Sequence, residues 1–198
     1  MTSSTLYRTA AIAGLLSGLV ITVNTAKRAG VIPVSPATQL VAPLAQVLAL
    51  GLVMALFVRV GRRSGHFGAV AFGLNFTAVA LLVGVEFVLN LVFPRLDGAT
   101  VTELRAGPLG IALTVTSLLF LVSTWLFTAS LWHRDGPPRA ALVMWAVGVV
   151  PVSLRAAVPE EALQAGLLLL ALAVGWLSVW LWSTSHQATY AGGATVSA

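Results

Sequence analysis

The chain reads as an all-α polytopic membrane bundle of about six transmembrane helices with no soluble domain, and three observations carry that reading. Hydrophobic residues make up 58% of its 198 residues and charged residues only 9%, against roughly 25% charged in a soluble domain. Mean hydropathy is +0.96. The apolar residues fall into six runs, at 9–25, 37–60, 67–93, 109–132, 140–158 and 162–182, most of them near the ~20 helical residues that cross a ~30 Å hydrocarbon core. Residues 1–184 therefore form one bundle, and the Ser-, Thr-, Ala- and Gly-rich stretch 185–198 is expected to be a disordered tail.

Each run has its own punctuation. The first begins at Arg8 and has no small-residue cleavage site before Lys27, so it reads as a retained helix and not a signal peptide. Pro33 and Pro36 precede the second, Gly61 and Gly65 separate it from the third, and Pro94 and Gly98 close the third. Gly136, Pro137 and Pro138 stand between the fourth and fifth, and Pro159 precedes the sixth. The fifth run is the weakest, because Pro151 and Arg155 interrupt it; a kink, or a last turn lying in the interface, is expected there.

Charge sets sidedness. Arg8, Arg59, Arg62, Arg63, Arg134 and Arg139 fall on one side of such a bundle, and Lys27, Arg28, Arg95, Arg105 and Arg155 on the other. The compact cluster Arg59 to Arg63 places the first side, with both termini, in the cytoplasm of a cell bounded by a bacterial inner membrane. The basic residues are scattered between apolar runs and form no stripe, which argues against a nucleic-acid partner. Trp132, Trp180 and Trp182 near run ends suit an interfacial aromatic belt. The expected partners are membrane lipid and a lipophilic small molecule.

Several classes are excluded by what is missing. The chain has no cysteine, hence no disulfide, thiolate metal site or thiol nucleophile. His66, His133 and His186 fall outside the apolar runs without ligand spacing, so no metal is expected. There is no paired-acid motif for a metal-bound diphosphate, no Gly-rich phosphate loop before a lysine, and no lysine in the last run. No metal or organic cofactor is implied.

Against that background Glu86 stands out as an acid inside the third run. An acidic side chain near a helix centre costs roughly 2.5–3.5 kcal/mol on insertion scales, so it is expected to face the interior, to pair or to be protonated. Asn75, Glu86 and Asn90 are spaced by eleven and four residues, within about 60° of one helix face. The first, third and fifth helices run the same way, which brings Asn24, Lys27 and Arg28, then Glu86 and Asn90, then Arg155 toward one side of the membrane. Glu103, Arg105, Glu160 and Glu161 belong to that side too.

Two readings of this set compete. In one, Glu86 pairs with Arg155 or Arg28 and locks helices together. In the other, Asn24, Arg28, Asn75, Glu86, Asn90 and Arg155 surround a partly hydrated pocket that binds or passes a small lipophilic or cationic ligand. Two further patterns concern packing. Ala10, Gly14 and Gly18 form a small-residue ladder that suits close helix packing within the chain or a homodimer, and Thr116, Ser123 and Ser130, with Ser117 and Thr124, mark a seam on the fourth helix. The sequon Asn75-Phe-Thr77 lies within a span and is discarded.

The opening Arg8-Thr-Ala-Ala-Ile-Ala-Gly-Leu-Leu16 with five further spans resembles small bacterial, actinobacterial-looking six-helix membrane proteins grouped as a domain of unknown function. That resemblance implies a fold and no activity. Locally, Glu86-Phe-Val-Leu-Asn-Leu-Val-Phe-Pro94 is similar to the segment bearing the intramembrane glutamate of pathway-specific membrane terpene cyclases. This likeness implies catalysis by Glu86 as the general acid that opens an epoxide or protonates an alkene. Those proteins typically have seven helices and a second acid in a late helix, whereas the fourth to sixth runs here contain no Asp or Glu.

Overall fold

The computed structural model describes the backbone of residues 3–133 and 136–193 and the side chains of residues 4–133 and 136–185; Arg134, the His186 side chain and residues 194–198 lie outside the described residues. Among the described residues every regular element is helical. The chain runs α1 (Ser3–Arg28), α2 (Pro36–Val41), α3 (Leu44–Arg59), a 3-10 turn (Gly61–Ser64), α4 (Gly65–Phe87), α5 (Gly98–Ala106), α6 (Pro108–Ser130), α7 (Arg139–Ser153) and α8 (Glu160–Gly193). Past Phe87, α4 continues as a π-helical turn, Val88–Val92, and a 3-10 turn, Phe93–Arg95.

Local chemistry sets these boundaries. Pro36 opens α2, where a missing N–H costs nothing, and Ser35 and Thr38 bond each other's backbone in a capping box. The expected continuous second helix is divided at 42–43, with Pro43 as the N-cap of α3; α2 and α3 still make one apolar passage, Pro36–Arg59. The expected fifth helix, 140–158, ends at Ser153 and holds only 15 residues, or about 22 Å. Pro151 brings no N–H to its last turn, and the chain leaves through a turn in which the Ala157 N–H donates to the Leu154 carbonyl at 2.8 Å. Arg155 therefore lies beyond the helix end. At the other extreme α8 stays helical to Gly193, through nine residues expected to begin the disordered tail, a stretch without proline. His66, expected in a loop, stands in the first turn of α4.

Among the described residues five passages are long and apolar enough to cross a membrane: Ser4–Arg28, Pro36–Arg59, Gly61–Arg95, Pro108–Ser130 and Glu160–Ser185, with α7 a shorter apolar helix beside them. In space, α1, α3, α4, α6, α7 and α8 pack in that order around a ring that closes where α8 returns to α1. Their outer faces present Leu19, Val70, Ile111, Val115, Leu172 and Val179, all more than half exposed. Their inner faces bury Ser17, Asn75, Ser123, Thr124 and Ser178 completely. Small and hydroxyl residues inside with aliphatic residues outside is the distribution expected in lipid, where packing and interhelical hydrogen bonds hold helices together. The chain is a multi-pass membrane protein.

Small residues allow close approach at two crossings, α1 with α8 and α7 with α8. A side chain at Gly14 would run into the Ser178 hydroxyl, and one at Gly18 would come 3.0 Å from the Ala171 carbonyl. Together with Ala10, 5% exposed, the ladder is thus occupied by α8 of the same chain, and the face that a second copy would need is covered. Gly148 and Gly166 do the same for α7 against α8: a Cβ on Gly166 would collide with the Pro151 ring, and one on Gly148 would lie 2.9 Å from the Gly166 carbonyl.

Candidate functional site

Because α1, α4 and α7 run in parallel, their C-terminal ends gather at the end of the bundle away from the chain termini. Asn24, Lys27, Arg28, Glu86, Asn90 and Arg155 surround one small polar cavity there, of about 70 Å³. The contacts among them differ from the expected ion pair. Glu86 Oε2 accepts from Asn90 Nδ2 at 2.8 Å, and Asn90 Oδ1 accepts from Lys27 Nζ at 2.8 Å. Asn90 also donates to the Glu86 main-chain carbonyl at 3.0 Å. The two residues flank the start of the π-helical turn, and such a turn widens the helix ladder, often at functional positions.

Among the described residues Glu86 makes no ion pair: the salt bridge formed at this end is Arg28 with Glu160, Nε to Oε1 at 3.0 Å and Nη2 to Oε2 at 3.1 Å. It pins the end of α1 to the start of α8 and takes up Arg28. Arg155 reaches Glu86 only through space, and it makes no hydrogen bond or ion pair with any described residue. The expected locking pair between Glu86 and Arg155 or Arg28 is therefore replaced by a relay, Lys27 to Asn90 to Glu86.

Asn75 does not join this group. It is fully buried about three helical turns from Glu86 and donates to Thr124 Oγ1 at 2.9 Å and more weakly to Ser123 Oγ at 3.4 Å, fastening α4 to α6. The seam expected on the fourth helix is what it meets: Thr116, Ser117, Ser123, Thr124 and Ser130 are all buried. The alignment of Asn75, Glu86 and Asn90 on one face holds for a uniform α-helix, but distance along the helix separates the first from the other two.

A second cavity, of about 90 Å³, lies deeper between the helices and is lined from all six members of the ring. Its wall is mainly apolar, with Val79, Leu82, Phe120, Trp145 and Leu170, and Glu86, Asn24 and Arg155 border it from the polar end. Gln46 and Ser153 also line it, and neither emerges from sequence reasoning. Gln46 had a signal: between Gln39 and Arg59 it is the single residue with an amide or charge in an otherwise apolar helix. Ser153 had none. Asn24 Oδ1, Gln46 Oε1 and Ser153 Oγ are buried here without a hydrogen-bond partner among the described residues. Buried polar atoms are normally satisfied, so three orphans around one cavity mark a place prepared for something with hydrogen bonds to give.

No group of three His, Asp or Glu residues able to hold a metal occurs among the described residues. Comparison with protein-family models, with curated proteins and with solved structures found no match, so the site is read from its own geometry.

Proposed function

We propose that this membrane protein binds or passes a small, mainly lipophilic ligand carrying an N–H or O–H donor, in the cavity bounded by Glu86, Asn24 and Gln46. The observation that carries the reading is the set of unpartnered oxygens facing an apolar chamber beside an intramembrane carboxylate. Size narrows the ligand. At about 90 Å³ the chamber holds several waters or a few heavy atoms, by comparison with the ~150 Å³ apolar cavity that takes up benzene. A folded isoprenoid needs the ~300 Å³ or more of an ordinary ligand pocket, which favours a small ligand over cyclase chemistry. Charge narrows it further. Lys27, Arg28 and Arg155 all act on the one carboxylate, so a neutral donor suits the chamber better than a permanent cation. On this reading the termini face the cytoplasm of a bacterial inner membrane and the relay end faces the opposite side, as the Arg59 to Arg63 cluster favours.

The test is mass spectrometry of small molecules co-purified with the protein, and with Gln46→Leu and Ala49→Phe variants. Leu removes an orphan oxygen, and Phe places a ring in the chamber. Both should deplete the same bound species by about tenfold or more, the loss expected for a hydrogen bond worth ~1.4 kcal/mol or more. Gln46→Leu should leave the fold as stable as before or slightly more so, because an unsatisfied buried group is replaced by an apolar one. A species retained at full occupancy by both variants would overturn the reading. Glu86→Gln asks separately whether the carboxylate is part of recognition, with reduced occupancy as the expected result.

A further inference from the structure

A third space adjoins the polar end and has a different character. It is a groove of about 850 Å³ between the end of α4, α5, the start of α6 and the exit of α7. Leu89, Phe93, Val101, Leu113, Leu118 and Leu154 make its apolar wall. Arg28, Arg105 and Arg155 stand on its rim, and no Asp or Glu lines it. Glu86 does not reach it, so the groove is separate from the ligand chamber even though Ser117, Ser153 and Arg155 border both.

The three guanidinium groups differ in how free they are. Arg28 is engaged by Glu160, and Arg105 lies over the Phe93 ring, 5.2 Å from its centroid. Arg155 is half-buried with no hydrogen bond or ion pair to a described residue. Ser153, 8% exposed, points an unpartnered hydroxyl toward the same boundary. A guanidinium that feels Glu86 only through space keeps its N–H donors without an acceptor among the described residues, and its planar fork matches phosphate oxygens in pairs. The apolar wall beneath it calls for hydrocarbon.

We infer that this groove is a binding site for an anionic membrane phospholipid, whose phosphodiester is held by Arg155 and Arg105 and whose upper acyl chain lies along Leu113, Leu118 and Leu154. The volume falls within the range of ordinary ligand sites, ~300–1,000 Å³, and suits a headgroup with part of one chain. Charge complementarity selects the occupant: a zwitterionic lipid offers the same chains but brings its own cation to a rim that is already cationic.

Native mass spectrometry of the delipidated protein decides this. Phosphatidylglycerol and phosphatidylcholine with identical chains are titrated in parallel, with glycerol 1-phosphate as a headgroup lacking chains. Phosphatidylglycerol should bind about tenfold more tightly than phosphatidylcholine, because both offer the same phosphodiester but the choline cation is repelled by a rim of three arginines without an acid. Arg155→Gln and Arg105→Gln should each erase most of that preference, whereas Arg62→Gln, at the opposite end of the bundle, should preserve it. Arg105 is exposed, so its variant decides the matter if Arg155→Gln fails to fold. Equal binding of the two lipids, preference unchanged in Arg105→Gln, or equal loss in Arg62→Gln would each overturn the site. Competition by glycerol 1-phosphate as effective as by the lipid would overturn the phospholipid assignment.

Discussion

The two ends of this bundle both rest arginines on rings, Arg105 on Phe93 at the far end, but they differ in what lies beneath. At the end carrying the chain termini, arginines rest on aromatic rings: Arg8 over Trp182 at 5.8 Å, Arg59 over Tyr7 at 5.7 Å and Arg139 over Trp132 at 5.6 Å. Ser64 donates to the Ser130 carbonyl at 2.7 Å and lies 2.8 Å from His133 Nε2. Beneath them the interior is filled by rings, with Phe57 stacked on Phe72 at 4.2 Å and Phe127 edge-on to Trp145 at 6.1 Å. At the far end the interior is hollow. Lys27 and Asn90 lean on Glu86, Arg155 has no partner among the described residues, and two cavities and a groove meet around it. A full end holds a bundle together, and a hollow end with unsatisfied polar groups is where a membrane protein does its work.

On that division, the largest loss of stability comes from the full end. Phe127→Ala removes a fully buried ring, and such truncations cost about 3–5 kcal/mol in water-soluble cores. The lower figure, about 3 kcal/mol, is expected here, because the unfolded reference in lipid is itself apolar and only packing is lost. Thermal or denaturant unfolding in detergent measures it, and a loss below that of Val79→Ala in the chamber wall would break the comparison.

The hollow end should be held by its relay more than by its surface ion pair. A double-mutant cycle of Lys27→Met with Asn90→Leu should show coupling of about 1.5–3 kcal/mol for a charge-assisted hydrogen bond, since the Lys27 side chain is buried and the bond is 2.8 Å long. The same cycle on Arg28→Met with Glu160→Gln should give less than about 1 kcal/mol, because those side chains are 36% and 48% exposed. Equal couplings would show that burial does not distinguish the two ties.

The smallest expected effect lies outside the membrane spans, at the cap of α5. Asp97 accepts from the Thr100 backbone N–H at 2.9 Å and from its hydroxyl at 2.7 Å, and these bonds hold its carboxyl below the usual carboxylate range. A depressed carboxyl contributes stability that is fully present above its unfolded pKa and is lost as pH falls through the lower, folded value. Amide exchange in α5 should therefore be insensitive to pH-linked opening near neutrality and rise below the usual carboxylate range, and Asp97→Ala should abolish that acid-side step. A persistent step in the variant would assign it to another group.

Much of this was legible in the residues. Apolar runs of membrane length, the small-residue ladder and the parallel direction of alternate passages are properties of order along the chain, so composition and spacing determine the class of fold. They also determine that the ends of α1, α4 and α7 share one side, which is why Asn24, Arg28, Glu86, Asn90 and Arg155 meet around one cavity. What spacing does not contain is the identity of contacts. Arg28 meets Glu160 and not Glu86 because α8 closes the ring against α1. Asn75 serves a helix seam because α6 presents Thr124 to it. The ladder of Ala10, Gly14 and Gly18 serves the chain itself because α8 lies on it. The π-helical turn, the early end of α7 and the orphan oxygens of Gln46 and Ser153 emerge only when every helix is in place. Hydrophobic periodicity reports which residues avoid water; which polar atoms are left without partners depends on all the neighbours at once, and only the tertiary structure decides that.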